Sequence, residues 1–199
     1  MTIMHKREMR KRLQRLRPGS TDDIRTIISI AEADPNLQIL ANMARVIANT
    51  GIRNGEFAGL RISDIDPTGS WLEVRRPRST SMPSRVLPIR PRTYMALLAL
   101  HQLNPESELV LGDFPKTRFN SMLHKLKVVA PNFGRARQRT YSIRANFAFR
   151  LMSAGIPAGI VKYVLGWESL ESSFQRLPLT PEQRLQIVRR SFECFLDEL

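Results

Sequence analysis

Apolar residues recur at helical spacing along most of the chain, and this periodicity is the strongest constraint on its fold. A cap at Ser20 or Thr21 begins the first helical segment. Its predicted buried face consists of Ile24, Ile27, Ile28 and Ala31. Further helices are predicted over residues 36–49, 55–60, 92–102, 116–129, 142–154, 157–165 and 181–196.

Two short apolar stretches break the helical pattern. Residues 71–74 and 85–89 alternate polar and apolar side chains and flank a turn rich in Pro, Ser and Arg. Such a pair is typical of a β-hairpin with a long loop. The sequence therefore predicts a mainly α domain with a small antiparallel β-sheet, an α+β fold.

The charge is strongly unbalanced. The 199 residues include 31 Lys and Arg against 18 Asp and Glu, a formal net charge of +13. We expect a basic N-terminal arm over residues 1–19, either a solvated tail or a segment lying along a DNA backbone, and one domain over residues 20–199. The arm's basic residues are Lys6, Arg7, Arg10, Lys11, Arg12, Arg15 and Arg17.

Several classes of protein are excluded by what the sequence contains. The single cysteine, Cys194, allows neither an intramolecular disulfide nor a cysteine-based zinc cluster, and we expect no metal and no cofactor. No apolar run approaches the ~20 residues that span a bilayer, and no apolar core follows the basic start as it would in a secretory signal. We expect a cytoplasmic, nucleoid-associated protein, of bacterial origin.

A polyanion is the expected partner, because arginine outnumbers lysine and binds phosphate in a bidentate manner. Double-stranded DNA is favoured over a membrane surface, since no amphipathic aromatic anchor accompanies the charge. Backbone contacts are expected from the hairpin loop and from a basic run that leads into a helix. These candidates are Arg75, Arg76, Arg78, Arg135, Arg137 and Arg139.

Residues 50–66, TGIRNGEFAGLRISDID, combine a helix stop with an arginine. Gly51 would end one helix, and Arg53 would begin the next beside free backbone N–H groups, which is typical of an anion site. Glu56 is placed one turn on to hold the guanidinium; the alternative is a surface pair worth under ~1 kcal/mol. The segment closely resembles the first box of the tyrosine recombinases (the phage integrase family), T-G-x-R-x-x-E-x-x-x-L with a D-I-D-like turn.

Two later segments are similar to the family's other boxes. In residues 141–148, YSIRANFA, Arg144 aligns with the second phosphate-gripping arginine and Tyr141 stands in place of the usual histidine. Leu165-Gly166-Trp167 stands where the family has L-G-H; Trp167 is either an indole N–H donor to phosphate, as in some members, or a core aromatic. The resemblance runs from about residue 20 to 176. It implies the tyrosine recombinase catalytic-domain fold in a short form without the core-binding domain.

The resemblance implies a chemistry whose nucleophile this sequence does not supply. In the family a tyrosine hydroxyl after the third box attacks the scissile phosphodiester. Here Arg176 stands at that position, and the nearest aromatic is Phe174, which has no hydroxyl. The three tyrosines all precede the third box; they are Tyr94, Tyr141 and Tyr163. Of these, Tyr141 could serve as an unusual nucleophile, but it lies on the wrong side of Arg144 in the geometry that the resemblance implies.

The resemblance also implies a general acid, a lysine in the hairpin loop that protonates the leaving 5′-oxygen. The hairpin loop here, residues 75–85, contains arginines but no lysine, and arginine holds its proton too tightly to donate it. The histidines His5, His101 and His124 stand at no box position. Arg53, Arg144 and Trp167 would thus grip a phosphate without the covalent step.

The favoured function is a catalytically inactive DNA-binding protein with the tyrosine recombinase fold, a regulator, maintenance factor or architectural factor of a mobile element. An active minimal recombinase or integrase with displaced catalytic residues is the alternative. An unrelated basic helical protein that binds RNA is the third. The amphipathic C-terminal helix packs either into its own core, the simpler interpretation, or against a second protein in a homo-oligomer or hetero-complex. Its apolar side carries Leu185, Val188, Phe192 and Phe195.

Overall fold

The computed structural model describes residues 20–75, 84–114, 121, 139–167 and 180–193. Its elements, in chain order, are α1 (Thr21–Ala33), a 3₁₀ turn (Pro35–Leu37), α2 (Gln38–Thr50), α3 (Asn54–Ala58), a 3₁₀ turn (Ile62–Asp64), β1 (Trp71–Val74), β2 (Arg85–Pro88), α4 (Pro91–His101), α5 (Arg139–Ser153), α6 (Ala158–Leu165) and α7 (Pro181–Glu193). Within these residues the fold is mainly helical with one two-stranded antiparallel sheet, so the predicted fold class is confirmed. No helix among them combines the length and apolar character needed to cross a membrane.

Helix α1 begins and packs as its sequence predicts. The Ser20 hydroxyl accepts a hydrogen bond from the Asp23 N–H (3.0 Å), and the Asp23 carboxylate accepts one from the Ser20 N–H (3.1 Å), forming a capping box. The predicted apolar face is buried in the core. The helix ends at Ala33, because Asp34 precedes a proline and takes an extended conformation.

Helix α2 lies at the centre of the core and starts two residues later than predicted. Pro35 begins a 3₁₀ turn that precedes the helix, and Gln38 is the first α-helical residue. The helix stops at Gly51, whose φ of +62° lies in the left-handed region and whose N–H donates to the Ile47 carbonyl (2.9 Å). This stop places Arg53 at the start of α3.

The hairpin pairs its strands in a register that buries one face. Leu72 lies opposite Leu87 and Val74 opposite Arg85. All four of these side chains are buried, and so is Ile89 just beyond β2. Arg85 therefore lies on the buried face of the sheet, at the point where the hairpin meets the helices.

The C-terminal half closes the core around the end of α2. Helix α5 packs on α2, and Phe147 and Leu165 lie against Gly51. Helix α7 is capped as predicted, with reciprocal hydrogen bonds between Thr180 and Gln183 (2.9 and 3.2 Å). It packs on β2 of its own chain and buries Val188 completely, as the simpler interpretation of this helix expects.

Several predicted features lie outside the described residues. They are the basic arm (1–19), the hairpin residues Arg76 and Arg78, the helix predicted over 116–129 except Ser121, the run with Arg135 and Arg137, the positions Phe174 and Arg176, and Cys194.

Gly51→Ala is expected to destabilise the domain by about 2–5 kcal/mol. A left-handed φ costs an alanine about 1–2 kcal/mol, and overpacking a core adds about 1–3 kcal/mol. The new Cβ would lie 2.6 Å from Phe147 Cδ1 and 2.7 Å from Leu165 Cδ2. Urea unfolding measures the change. Gly55→Ala is the matched control, because a Cβ there meets nothing within 4 Å; equal losses of stability in the two variants would contradict the packing account.

Candidate functional site

Arg53 stands at the N-cap of α3, and its own backbone N–H is not free. The Arg53 N–H donates to Glu56 Oε2 (2.8 Å), and the Arg53 guanidinium Nη1 donates to Glu56 Oε1 (3.0 Å). The expectation of an anion site built on free N–H groups is therefore wrong at this N–H, because the Glu56 carboxylate occupies it. The expectation that Glu56 holds the guanidinium is confirmed.

Glu56 is a buried carboxylate with every lone-pair position in use. Its side chain is 1% exposed. Besides the two bonds from Arg53, it receives Arg85 Nη1 on Oε1 (2.9 Å) and Arg85 Nη2 on Oε2 (2.8 Å). Each oxygen thus accepts two hydrogen bonds, which is about the full capacity of an ionised carboxylate. Burial is tolerated because the charge is paired and completely hydrogen-bonded.

Arg85 is a site residue that our sequence reasoning missed. Its side chain is 2% exposed, and besides the bidentate pair with Glu56 its Nε donates to the Val164 carbonyl (2.8 Å). The sequence feature that could have revealed its burial is the strand alternation, which puts Arg85 on the same face as Leu87 and Ile89. An arginine on a buried face requires a charged partner, and Glu56 is that partner.

The end of α6 supplies the other half of the site. Gly166 has a φ of +59°, its N–H donates to the Tyr163 carbonyl (3.0 Å), and the Trp167 N–H donates to the Lys162 carbonyl (3.1 Å). This is a Schellman motif, which satisfies two of the helix's last carbonyls. The next three carbonyls, of residues 164 to 166, accept from arginine side chains instead.

Three arginines from three elements therefore meet at one helix end. Arg85 donates to the Val164 carbonyl, Arg144 Nη2 to the Leu165 carbonyl, and Arg53 Nη2 to the Gly166 carbonyl. Cationic groups are stabilised there because the C-terminal end of a helix carries partial negative charge. The two family arginines, Arg53 and Arg144, are brought together as the resemblance implies.

Gly166 is required by this arrangement for a steric reason as well as a conformational one. A Cβ at this position would lie 2.8 Å from Arg85 Nη1 and 3.1 Å from Arg53 Nη1. A side chain here would push into the two guanidinium groups that share Glu56. The glycine thus lets the helix end approach the arginine cluster closely.

Trp167 follows Gly166 and is 37% exposed. Its interpretation as a core aromatic is therefore wrong. The indole stands at the surface, and Trp167 directly follows the residues whose carbonyls receive the arginines.

The remaining predicted site residues lie elsewhere or are described only in part. Arg75 is 51% exposed and pairs through Nε with the buried carboxylate of Asp64. Arg139 and Tyr141 belong to the first turn of α5, one turn before Arg144 in the case of Tyr141.

Two tyrosine hydroxyls have structural partners. The Tyr163 side chain is buried, and its hydroxyl accepts a hydrogen bond from the Val86 N–H (3.0 Å). The Tyr94 hydroxyl donates to the Pro67 carbonyl (3.0 Å). Among the described residues, no group of three or more His, Cys, Asp and Glu is arranged to hold a metal ion.

Opposing effects act on the Glu56 carboxyl. Burial alone would raise its pKa, but hydrogen bonds and charge from Arg85, with further contributions from Arg53, outweigh burial and hold the pKa below its ordinary value. Glu56 is therefore ionised at neutral pH. Its single negative charge is shared by two guanidinium groups, so these three residues carry one excess positive charge.

The architecture and the site together define a class: a helical domain with a hairpin, in which two arginines meet at a helix end. The sequence matches the family model described as "Phage integrase family" over residues 20–176. The chain belongs to the phage integrase family. A comparison with curated proteins gave no match.

Solved structures share this fold at low sequence identity. XerA recombinase is similar with a TM-score of 0.62 and 20% identity, covering 92% of this chain and 66% of that chain. The Tn1549 transposon integrase in complex with transposon right end DNA has a TM-score of 0.63 and 16% identity, covering 88% of this chain and 65% of that chain. Lambda integrase bound to DNA has a TM-score of 0.61 and 16% identity, covering 78% of this chain and 57% of that chain. The chain spans slightly under two thirds of the first two structures.

Glu56→Gln is expected to destabilise the domain by about 3–5 kcal/mol at pH 7, because it leaves the buried charge of Arg85 without its partner. The folded-state pKa of Glu56 is lowered. The contribution of the Glu56 charge to the free energy of unfolding is thus fully present above the ordinary glutamate pKa of about 4.3. It is lost as pH falls through the lower folded-state value. The difference in unfolding free energy between the wild type and Glu56→Gln should therefore narrow in acid, and urea unfolding at pH 7 and at stepwise lower pH measures it.

Glu108→Gln is the control for that measurement. Glu108 pairs with Arg61 at 2.8 Å, but its side chain is 78% exposed, and such a surface pair is worth about 0–1 kcal/mol. A Glu56→Gln deficit that stays constant into acid would show that the carboxylate's charge is not what Glu56 contributes.

Proposed function

We propose that the chain binds double-stranded DNA and holds a backbone phosphate at the cluster formed by Arg53, Arg144 and Trp167. The observation that carries this proposal is the convergence of Arg53 and Arg144 on adjacent carbonyls at the end of α6. Fixed guanidinium groups recognise phosphate oxygens well.

Arg53 is suited to this role by its exposure and its remaining donors. Its side chain is 32% exposed. Within the described residues, one guanidinium hydrogen bond goes to Glu56 and one to the Gly166 carbonyl, whereas a guanidinium has five donors. The group is anchored on one side and has donors left for a ligand on the other.

Two further facts support DNA as that ligand. The formal net charge of +13 favours a polyanion. Similar structures were solved with DNA, the Tn1549 transposon integrase with transposon right end DNA and lambda integrase. The third hypothesis, an unrelated basic helical protein that binds RNA, loses its basis once the chain belongs to the integrase family.

The proposal includes binding without strand cleavage. Cleavage in this family needs a tyrosine hydroxyl after the third box, and the sequence has none there. The hydroxyls of Tyr163 and Tyr94 hydrogen-bond to the backbone of the hairpin region. A protein that grips DNA without cutting it would act as a regulator, maintenance factor or architectural factor of a mobile element.

The alternative of an active minimal recombinase depends on Tyr141. This residue lies on α5 one helical turn before Arg144 and would have to act as the displaced nucleophile. A covalent link between the protein and DNA would be the sign of it.

Incubation with a nicked suicide duplex distinguishes the two. We expect a shifted band on a native gel and no covalent protein–DNA band on a denaturing gel, with an active integrase on its own substrate as the positive control. Affinity should fall steeply with salt, on the order of 10³-fold between ~50 and ~200 mM if about six phosphates are neutralised. A covalent band would replace the proposed function by the alternative, and no shift at low salt would refute DNA binding.

Arg53→Gln and Arg144→Gln should each weaken DNA binding by about 10- to 100-fold, because hydrogen bonds to charged groups contribute about 1.5–3 kcal/mol. The logarithmic salt slope should become shallower by ~0.9 for each phosphate that the variant no longer neutralises. Fluorescence anisotropy across a salt series measures both. Arg61→Gln removes the same charge from an arginine paired with Glu108 and is the control; equal effects in all three variants would show that the pocket holds no phosphate.

A further inference from the structure

Arg85 is central to the cluster and is too deeply buried to touch a ligand. Its side chain is 2% exposed, and its Nε, Nη1 and Nη2 donate to protein acceptors at 2.8, 2.9 and 2.8 Å. Any influence of Arg85 on DNA binding must therefore pass through other residues.

Arg85 holds one anchor of Arg53 directly and binds the same helix end as the other. The first anchor is Glu56, on which Arg85 and Arg53 share Oε1 at 2.9 and 3.0 Å. The second is the Gly166 carbonyl, which lies two residues beyond the Val164 carbonyl that Arg85 binds. Arg85 thus ties the base of the hairpin to α3 and to the end of α6 at once.

We propose that Arg85 is a positioning residue, which orients the Arg53 guanidinium for a DNA phosphate by fixing the Glu56 carboxylate and the last turn of α6. This inference rests on the proposed function, since the ligand is the phosphate assigned there. It adds a buried residue of the hairpin to the binding site.

The chemistry of the guanidinium explains why this position needs arginine. A planar fork holds both carboxylate oxygens while its Nε reaches the Val164 carbonyl, whereas an ammonium group is a point charge on a flexible stem. Lysine in place of Arg85 would keep the charge and leave acceptors of Glu56 and Val164 unsatisfied.

The test is a double-mutant cycle on DNA affinity with Arg53→Gln, Arg85→Lys and the double variant. We expect Arg85→Lys to weaken binding about as much as Arg53→Gln, roughly 10- to 100-fold, and to lower the salt slope by the same ~0.9. The double variant should bind no worse than Arg53→Gln alone, because the two changes remove one and the same interaction with the phosphate. An additive double variant, or an unchanged slope in Arg85→Lys, would overturn the proposal.

Arg150→Lys is the matched control. Arg150 is also a buried arginine, 8% exposed, and donates to a backbone carbonyl, that of Ala48 (3.1 Å). A merely structural role predicts that both lysine variants lose stability while the folded protein keeps its affinity and slope. We expect that result for Arg150→Lys alone; if Arg85→Lys behaves identically, Arg85 is structural only.

A readout without DNA separates failure of this inference from failure of the proposed function. In ¹⁵N NMR the Arg53 Nη signals, assigned by their loss in Arg53→Gln, should be resolved in the wild type because the guanidinium is fixed. They should merge in Arg85→Lys, and also in Glu56→Asp, which keeps the charge but is one methylene too short to bridge both arginines. Unchanged Arg53 signals refute positioning even if DNA binds, whereas merged signals without any DNA binding refute only the phosphate ligand.

Discussion

The buried Glu56 carboxylate is the constraint on which the centre of this domain depends. Removing a charge from water costs several kcal/mol, and the cost is offset only when the charge is paired and its lone pairs are filled. Four donors from two arginines meet that requirement. Because Arg53 begins α3 and Arg85 begins β2, a single side chain determines how these two elements lie relative to each other.

The end of α6 couples this charge cluster to the helical core. A helix leaves its last carbonyls without partners, and here the Schellman turn at Gly166 satisfies two of them. The carbonyls that follow accept Arg85, Arg144 and Arg53. The same turn therefore ends the helix and brings its backbone close to the arginines. Each of three successive carbonyls accepts a hydrogen bond from a different arginine.

Most of the described fold could be predicted from local patterns, whereas part of the site could not. The buried face of α1, the Gly51 stop, the paired strands and the cap of α7 each follow from residues that are near in sequence. The Arg85–Glu56 pair joins residues far apart in the chain, and from sequence Arg85 is one of several arginines at the hairpin. Its strand alternation indicated burial, but the partner depends on how the hairpin docks on α3.

The same distinction explains the wrong prediction at Arg53. The sequence places an arginine at a helix start, and a helix start has free N–H groups in general. A glutamate three residues later can return to cap that start, and Glu56 does so while it also binds two guanidinium groups. The Arg53 N–H is therefore satisfied within the protein, and the proposed phosphate contact depends on the side chains.

The charge balance of the cluster indicates why so costly an arrangement is useful. A well-packed apolar replacement of a buried ion pair is often neutral or stabilising, so stability alone gives no reason for Arg85 and Glu56. What an apolar pair could not do is hold the guanidinium of Arg53 at a fixed place with part of it exposed. Two guanidinium groups on one carboxylate leave an excess positive charge, and the partly exposed group is the one that an external anion can reach. The buried pair thus makes a fixed, incompletely neutralised arginine, and this is the property on which the proposed phosphate contact depends.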